Sequence, residues 1–168
     1  NDITDLGPLE GMPALADLNL HYNRISDLTP LAGLPSLTVL RLSDNDISDL
    51  DPLACLTSLS RLIADNNQVS DLAPLADLAG IDEIDLGENR IVDLAPLVGE
   101  AHPSELYVDN NQISDLAPLT GLTSLSVLDV SKNEIADLAP LVANEGLGDG
   151  DVVDIIENPW DPFEQDEN

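Results

Sequence analysis

Asparagine returns every 22 residues without a slip, at Asn1, Asn23, Asn45, Asn67, Asn89, Asn111 and Asn133. The same phrase surrounds each one. It reads Asn23-Arg-Ile-Ser-Asp-Leu-Thr-Pro-Leu in the second copy and Asn111-Gln-Ile-Ser-Asp-Leu-Ala-Pro-Leu in the sixth. A period of this length and leucine content predicts a solenoid of about seven stacked coils. Coils of this kind bury their core between neighbours and display an extended curved surface, seldom an enclosed catalytic pocket.

Counting from each Asn, the third position is aliphatic (Ile3, Ile25, Ile47, Val69, Ile91, Ile113, Ile135), the fifth is Asp, the sixth Leu, the eighth Pro and the ninth Leu. Every unit closes on an alternating step such as Leu40-Arg41-Leu42 or Leu128-Asp129-Val130. Period two over so few residues predicts a short strand with one face buried. In the other half of the unit the apolar residues recur at steps of three. That spacing suits a 3₁₀ turn, where residues i and i+3 eclipse. The fifth-position Asp is placed to accept backbone N–H groups at the start of the turn, and Pro tolerates the first turn because it lacks only an unneeded donor.

The unit Leu-x-x-Leu-x-Leu-x-x-Asn-x-Ile-x-Asp-Leu-x-Pro-Leu-x-x-Leu resembles the 22-residue leucine-rich repeat of the SDS22-like class, and is most similar to its bacterial, internalin-like branch. The resemblance covers residues 1–158. It implies an α/β fold: a curved solenoid with a parallel β-sheet on the concave face, 3₁₀ turns on the convex face and an asparagine ladder inside. It further implies a bacterial surface or secreted protein that engages a macromolecule through the concave face.

Composition narrows the partner. Five Lys and Arg stand against 33 acids, a net charge of −28. Nucleic acid and anionic membranes are held by neutralising phosphate, so both are argued against. A basic protein partner, weakly held divalent cations, or plain solvation fit the charge better. No stretch is long and apolar enough to span a bilayer. The lone cysteine, Cys55, admits no internal disulfide and is expected as a small, partly buried residue.

The pattern breaks at identifiable places. Glu100 and Pro103 occupy leucine positions around His102, predicting a degenerate convex turn. Ala64 replaces a strand leucine and predicts a locally under-filled core. Gly148-Asp149-Gly150 delays the last strand, so that Asn158 arrives three residues late. Residues 159–168, with Trp160 and Phe163, are expected to form a C-terminal cap with an acidic tail, following the array at 1–158. At the other end the chain opens on Asn1 inside a repeat, as a piece of a longer chain would. An apolar edge is expected there from Ile3, Leu6, Leu9, Met12 and Leu15.

Residues between the buried strand leucines point to the concave face. They form three columns: Asp17, Val39, Arg61, Glu83, Glu105, Val127, Val152; Asn19, Arg41, Ile63, Asp85, Tyr107, Asp129, Asp154; and His21, Ser43, Asp65, Gly87, Asp109, Ser131, Ile156. Arg41, Arg61 and Ile63 mark the N-terminal half. Glu83, Asp85, Glu105, Asp109, Asp129 and Asp154 gather around Tyr107 in the other. Two carboxylates about 5 Å apart repel by about 0.8 kcal/mol in water and about 3 kcal/mol at an effective dielectric near 20. Exposed, such a cluster needs no ligand; partly occluded, it favours a cation or a basic side chain. Tyr107 is the expected hot spot, since Tyr and Arg dominate interface energetics.

Catalysis has little support. His21 and His102 lie on different parts of the coil, concave acid pairs such as Asp85 and Glu105 lack an aromatic sugar platform, and Asp149-Gly150-Asp151 reads as a turn rather than a calcium loop. No cofactor motif appears. The expected function is therefore a non-enzymatic protein-binding module. The alternative is an acidic spacer, or a repeat domain stabilised by divalent cations.

Overall fold

In the computed structural model, which describes residues 1–98 and 103–159, each coil contributes one three-residue strand. These are β1 (Asp17–Asn19), β2 (Val39–Arg41), β3 (Arg61–Ile63), β4 (Glu83–Asp85), β5 (Glu105–Tyr107), β6 (Val127–Asp129) and β7 (Val152–Asp154). They form one parallel sheet in chain order, and every pair advances in register, so Leu40 meets Leu62 and Leu62 meets Ile84. Parallel pairing of consecutive strands requires the chain to cross back each time. The crossovers run through short 3₁₀ turns, for example Asp51–Leu53 and Ala73–Leu75, on the face opposite the sheet. The seventh crossover departs from expectation. Ala139–Ala143 forms a single α-helical turn, α1, with Val142 N–H reaching back to Leu138 O at 3.3 Å.

Two side-chain devices hold each coil. Asn89 is buried; its Nδ2 donates to Ala64 O (3.0 Å), Leu86 O (3.1 Å) and Gly87 O (3.0 Å), and its Oδ1 accepts the Val69 N–H (2.9 Å). One amide thus ties its own loop to the preceding coil and satisfies backbone groups that water cannot reach. Asn45, Asn67, Asn111 and Asn133 repeat the pattern. Asn158 joins the ladder despite the insertion before it, accepting Ile135 N–H at 3.0 Å. At the crossovers Asp71 Oδ1 accepts the Ala73 N–H at 2.8 Å, and the other fifth-position Asp residues do the same. At Asp27 the Thr29 hydroxyl and N–H together lower the carboxyl pKa.

The core is one continuous aliphatic column. Leu40, Leu62, Ile84, Leu106 and Leu128 are wholly buried, as are Leu31, Leu53, Leu75, Leu97 and Leu119 of the crossovers. Ala64 is also fully buried in that column. Asn144 stands where four other coils carry leucine (Leu34, Leu56, Leu78 and Leu122). It remains buried because Nδ2 donates to Leu119 O (2.7 Å) and Leu122 O (3.2 Å). Two expectations need correction. Cys55 is exposed, because its site on the crossover faces solvent rather than the core. At the N-terminal edge Ile3 and Met12 are exposed, but Leu6 is buried and Leu9 and Leu15 are half-buried against the core. Pro103 is buried, whereas Glu100 and His102 lie outside the described residues, as do Trp160 and Phe163 with most of the expected cap.

The residue before each ladder asparagine adopts a left-handed conformation: Tyr22, Asp44, Asn66, Glu88, Asn110, Lys132 and Glu157, with φ of 51° to 58°. This tight turn lets the chain leave the sheet and present the next asparagine inward. Only three of the seven are Asn or Asp, the types that favour such geometry.

Candidate functional site: the concave sheet

Strand pleating puts alternate side chains on the solvent face of the sheet, and the parallel register aligns them across coils. The three expected columns form as read: Arg61 pairs with Glu83, Glu83 with Glu105, Ile63 with Asp85, Asp85 with Tyr107 and Tyr107 with Asp129. Asp129 pairs in turn with Asp154 on β7. Asp109 lies just beyond β5, in the column of Asp65 and Gly87. All ten candidate residues therefore share one surface.

They divide into two regions. In the N-terminal one the cations are already engaged. Arg41 Nη1 meets Asp17 Oδ1 at 2.7 Å, diagonally across β1 and β2, and Arg61 Nε contacts Glu83 Oε2 directly across β3 and β4. Asp17 was not among the expected site residues. Its part follows from register, because an arginine spans the diagonal to the neighbouring strand.

In the C-terminal region the carboxylates outnumber the cations. Asp85 is flanked in register by Ile63 and Tyr107 and is half-buried between them. Its Oδ1 accepts the Gly87 N–H at 3.2 Å. Burial first, then the charges of Asp65, Asp109 and Glu83, push its pKa up to about 6 against the lowering effect of that N–H. Asp109 is also raised, mainly by burial and then by Asp129 and Glu88, with Lys132 opposing. Gly87 makes room for it: a Cβ there would lie 2.5 Å from Asp109 Oδ1. Tyr107 Oη donates to Glu105 Oε2 at 2.9 Å, two residues along the same strand face. Burial and that bond push the phenol up to about 12, so Tyr107 presents a neutral ring whose hydroxyl is held by a carboxylate. Asp129 and Asp154 accept the Ser131 and Ile156 N–H groups at 2.9 and 3.0 Å, the same local turn that Asp85 makes.

The third column brings His21, Ser43 and Asp65 side by side, in the order expected from the repeat. Their geometry opposes nucleophilic chemistry. His21 Nδ1 accepts the Ser43 backbone N–H at 3.0 Å, while Ser43 Oγ donates to Asp65. The imidazole Nδ1 is thus engaged with the backbone, and the serine hydroxyl turns to Asp65 rather than to the imidazole, unlike a nucleophile hydrogen-bonded to a histidine base. Among the described residues no three or more His, Cys, Asp and Glu side chains are grouped so as to hold a metal ion. A shallow recess of about 440 Å³ lies beside Gly11, Met12, Pro13, Ala14 and Leu15, none of them on the concave sheet. No described helix is long and apolar enough to cross a membrane.

Comparison with known proteins agrees with this architecture. A family model described as Leucine Rich repeats (2 copies) matches residues 35–77 and 104–143, and another described as Leucine rich repeat matches 1–47. No curated protein matches the sequence significantly. Among solved structures, an internalin (InlF) from Listeria monocytogenes is 35% identical with a TM-score of 0.88, over 94% of this chain and 45% of that one. An internalin C2 (InlC2) from the same organism is 30% identical with a TM-score of 0.72, over 94% of this chain and 76% of that one. The chain thus spans less than half of the first and about three quarters of the second. The plant peptide hormone receptor RGFR1 in complex with RGF2 shares the fold, at 23% identity and a TM-score of 0.72, over 87% of this chain and 25% of that one.

Proposed function

We infer a function from one premise: the chain belongs to the leucine-rich-repeat family, close to its internalin-like branch. The reading is a non-enzymatic docking module that holds a protein partner on its concave sheet. One observation carries it. The stack fixes its inward residues, yet the adjacent concave residues vary from coil to coil and gather Tyr107 with Asp85, Asp109, Asp129 and Asp154 on one surface. Carboxylates left without cations there favour a partner presenting Lys or Arg. Arg41 and Arg61, each held by an acid, serve to keep the first three strands near neutral beside Val39 and Ile63. A structure of this kind with a bound peptide, RGFR1 with RGF2, agrees with the use of the fold for docking. Likeness to the Listeria internalins supports a bacterial surface or secreted setting.

The test is capture from a matched extracellular proteome, followed by affinity measurement on the captured protein. Tyr107→Ala with Asp129→Ala should lose the partner, while Asp51→Asn with Asp77→Asn on the crossover side should keep it. Equal retention by both variants would remove the concave sheet from the reading. A spacer role held by divalent cations would instead show as stabilisation by millimolar calcium beyond that of matched ionic strength.

A further inference from the structure

Four coils make the same local turn at the second concave column. Asn19, Asp85, Asp129 and Asp154 each accept the N–H two residues on, at 3.1, 3.2, 2.9 and 3.0 Å. Asp85 differs in what surrounds it. Its row neighbours are Ile63 on β3 and Tyr107 on β5, two bulky side chains about one strand spacing away on either side, roughly 4.8 Å. Its N–H donor is the longest of the four.

The charged groups facing it are mostly of its own sign. Glu83 shares its strand and is engaged by Arg61 from β3. Asp65 lies beyond β3, and Asp109 beyond β5 leans into the space that Gly87 leaves open. From β5 come Tyr107, neutral, and Glu105, which accepts the phenol proton. Lys132 and Glu88 act on Asp109 rather than on Asp85. A carboxylate held between two large side chains and beside like charges holds a proton more tightly than an exposed, isolated one.

We propose that Asp85 is a proton-operated switch in the concave sheet: wedged between Ile63 and Tyr107 and crowded by Asp65, Glu83 and Asp109, it takes a proton from mildly acidic solution and releases it at neutral pH. Protonation relieves repulsion between the third, fourth and fifth coils. It also withdraws negative charge from the centre of the docking surface, so a basic partner is held more tightly at neutral pH than at pH 5. That second consequence rests on the docking reading, whereas the proton equilibrium does not.

The direction of the stability effect follows from linkage. The folded carboxyl binds its proton more tightly than the unfolded one, whose ordinary value is 3.8. Its contribution to stability is complete below about pH 4 and is lost as pH rises through about 6.

The experiment is a carbon-detected NMR titration of side-chain carboxyls in the whole labelled chain, which needs no partner and so separates this proposal from the docking one. Asp85 should titrate with a midpoint near 6. Asp65→Asn and Tyr107→Ala should each lower that midpoint by about half a pH unit or more, by removing a charge and by opening the site to water. Asp51→Asn, on the far side of the coil, should leave it in place. Asp85→Asn preserves the turn to Gly87, and its Tm should fall less between pH 5 and pH 7 than that of the parent chain. A parent Asp85 midpoint in the usual carboxylate range near about 4, or one unmoved by both Asp65→Asn and Tyr107→Ala, would overturn the proposal.

Discussion

Neighbouring residues of each strand face opposite regions of the molecule and obey opposite rules. The inward row runs Leu18, Leu40, Leu62, Ile84, Leu106, Leu128 and Val153, aliphatic throughout. The concave row one position later runs Asn19, Arg41, Ile63, Asp85, Tyr107, Asp129 and Asp154, with neither size nor charge conserved along the stack. An inward residue of β2 to β6 lies between two aliphatic neighbours, so a change there leaves a gap against both. A concave residue meets its neighbours only along one edge and water on the other. The stack therefore demands uniformity inside and tolerates difference outside, which leaves the concave face free to encode a partner.

That contrast can be broken at several depths. Ile84→Ala should have the largest effect, removing about 2–5 kcal/mol of unfolding free energy in a denaturant titration, because Ile84 is wholly enclosed between Leu62 and Leu106. Asn89→Ala should remove about 2–3 kcal/mol by orphaning the Val69 N–H and the carbonyls of Ala64, Leu86 and Gly87. On the concave side Tyr107→Ala should weaken partner binding by more than about 1 kcal/mol, roughly fivefold or more by calorimetry. Its denaturation midpoint should move far less than that of Ile84→Ala. Smallest of all, Arg61→Gln should change stability by less than about 1 kcal/mol, since the arginine of this ion pair is about half exposed to solvent. Freeing Glu83 should nonetheless make partner affinity fall more steeply with added salt, because one more carboxylate then faces the partner.

The period made most of this fold legible. Strand positions, their register, the asparagine ladder, the capping role of Asp5 to Asp137 and the membership of the concave columns all follow from which residue types repeat and where. What the repeat hid is local. The left-handed residue before each ladder asparagine leaves no consistent sequence signal, because Tyr22, Glu88, Lys132 and Glu157 are not types that favour it. The small residues in the column of Cys55 suggest partial burial, but smallness there reflects a crossover open to solvent. Asn144 could have been flagged, since it breaks a leucine column, yet only the geometry shows the carbonyls of Leu119 and Leu122 that admit it. Within the candidate site the row Ile63, Asp85, Tyr107 was already written in the register. That Arg41 and Arg61 turn to Asp17 and Glu83, and that Asp85 is half-buried, depends on side-chain reach across strands, which periodicity does not carry.

The chain's two tyrosines offer a direct test of the concave sheet as the docking face. Tyr107 lies at its centre, while Tyr22 stands exposed outside the strand columns at the turn after β1. Hydroxyl-radical footprinting of the chain with and without its captured partner reads both in one spectrum. Protection of Tyr107 with Tyr22 unchanged is the expected result; protection of Tyr22 alone, or of neither, would contradict it.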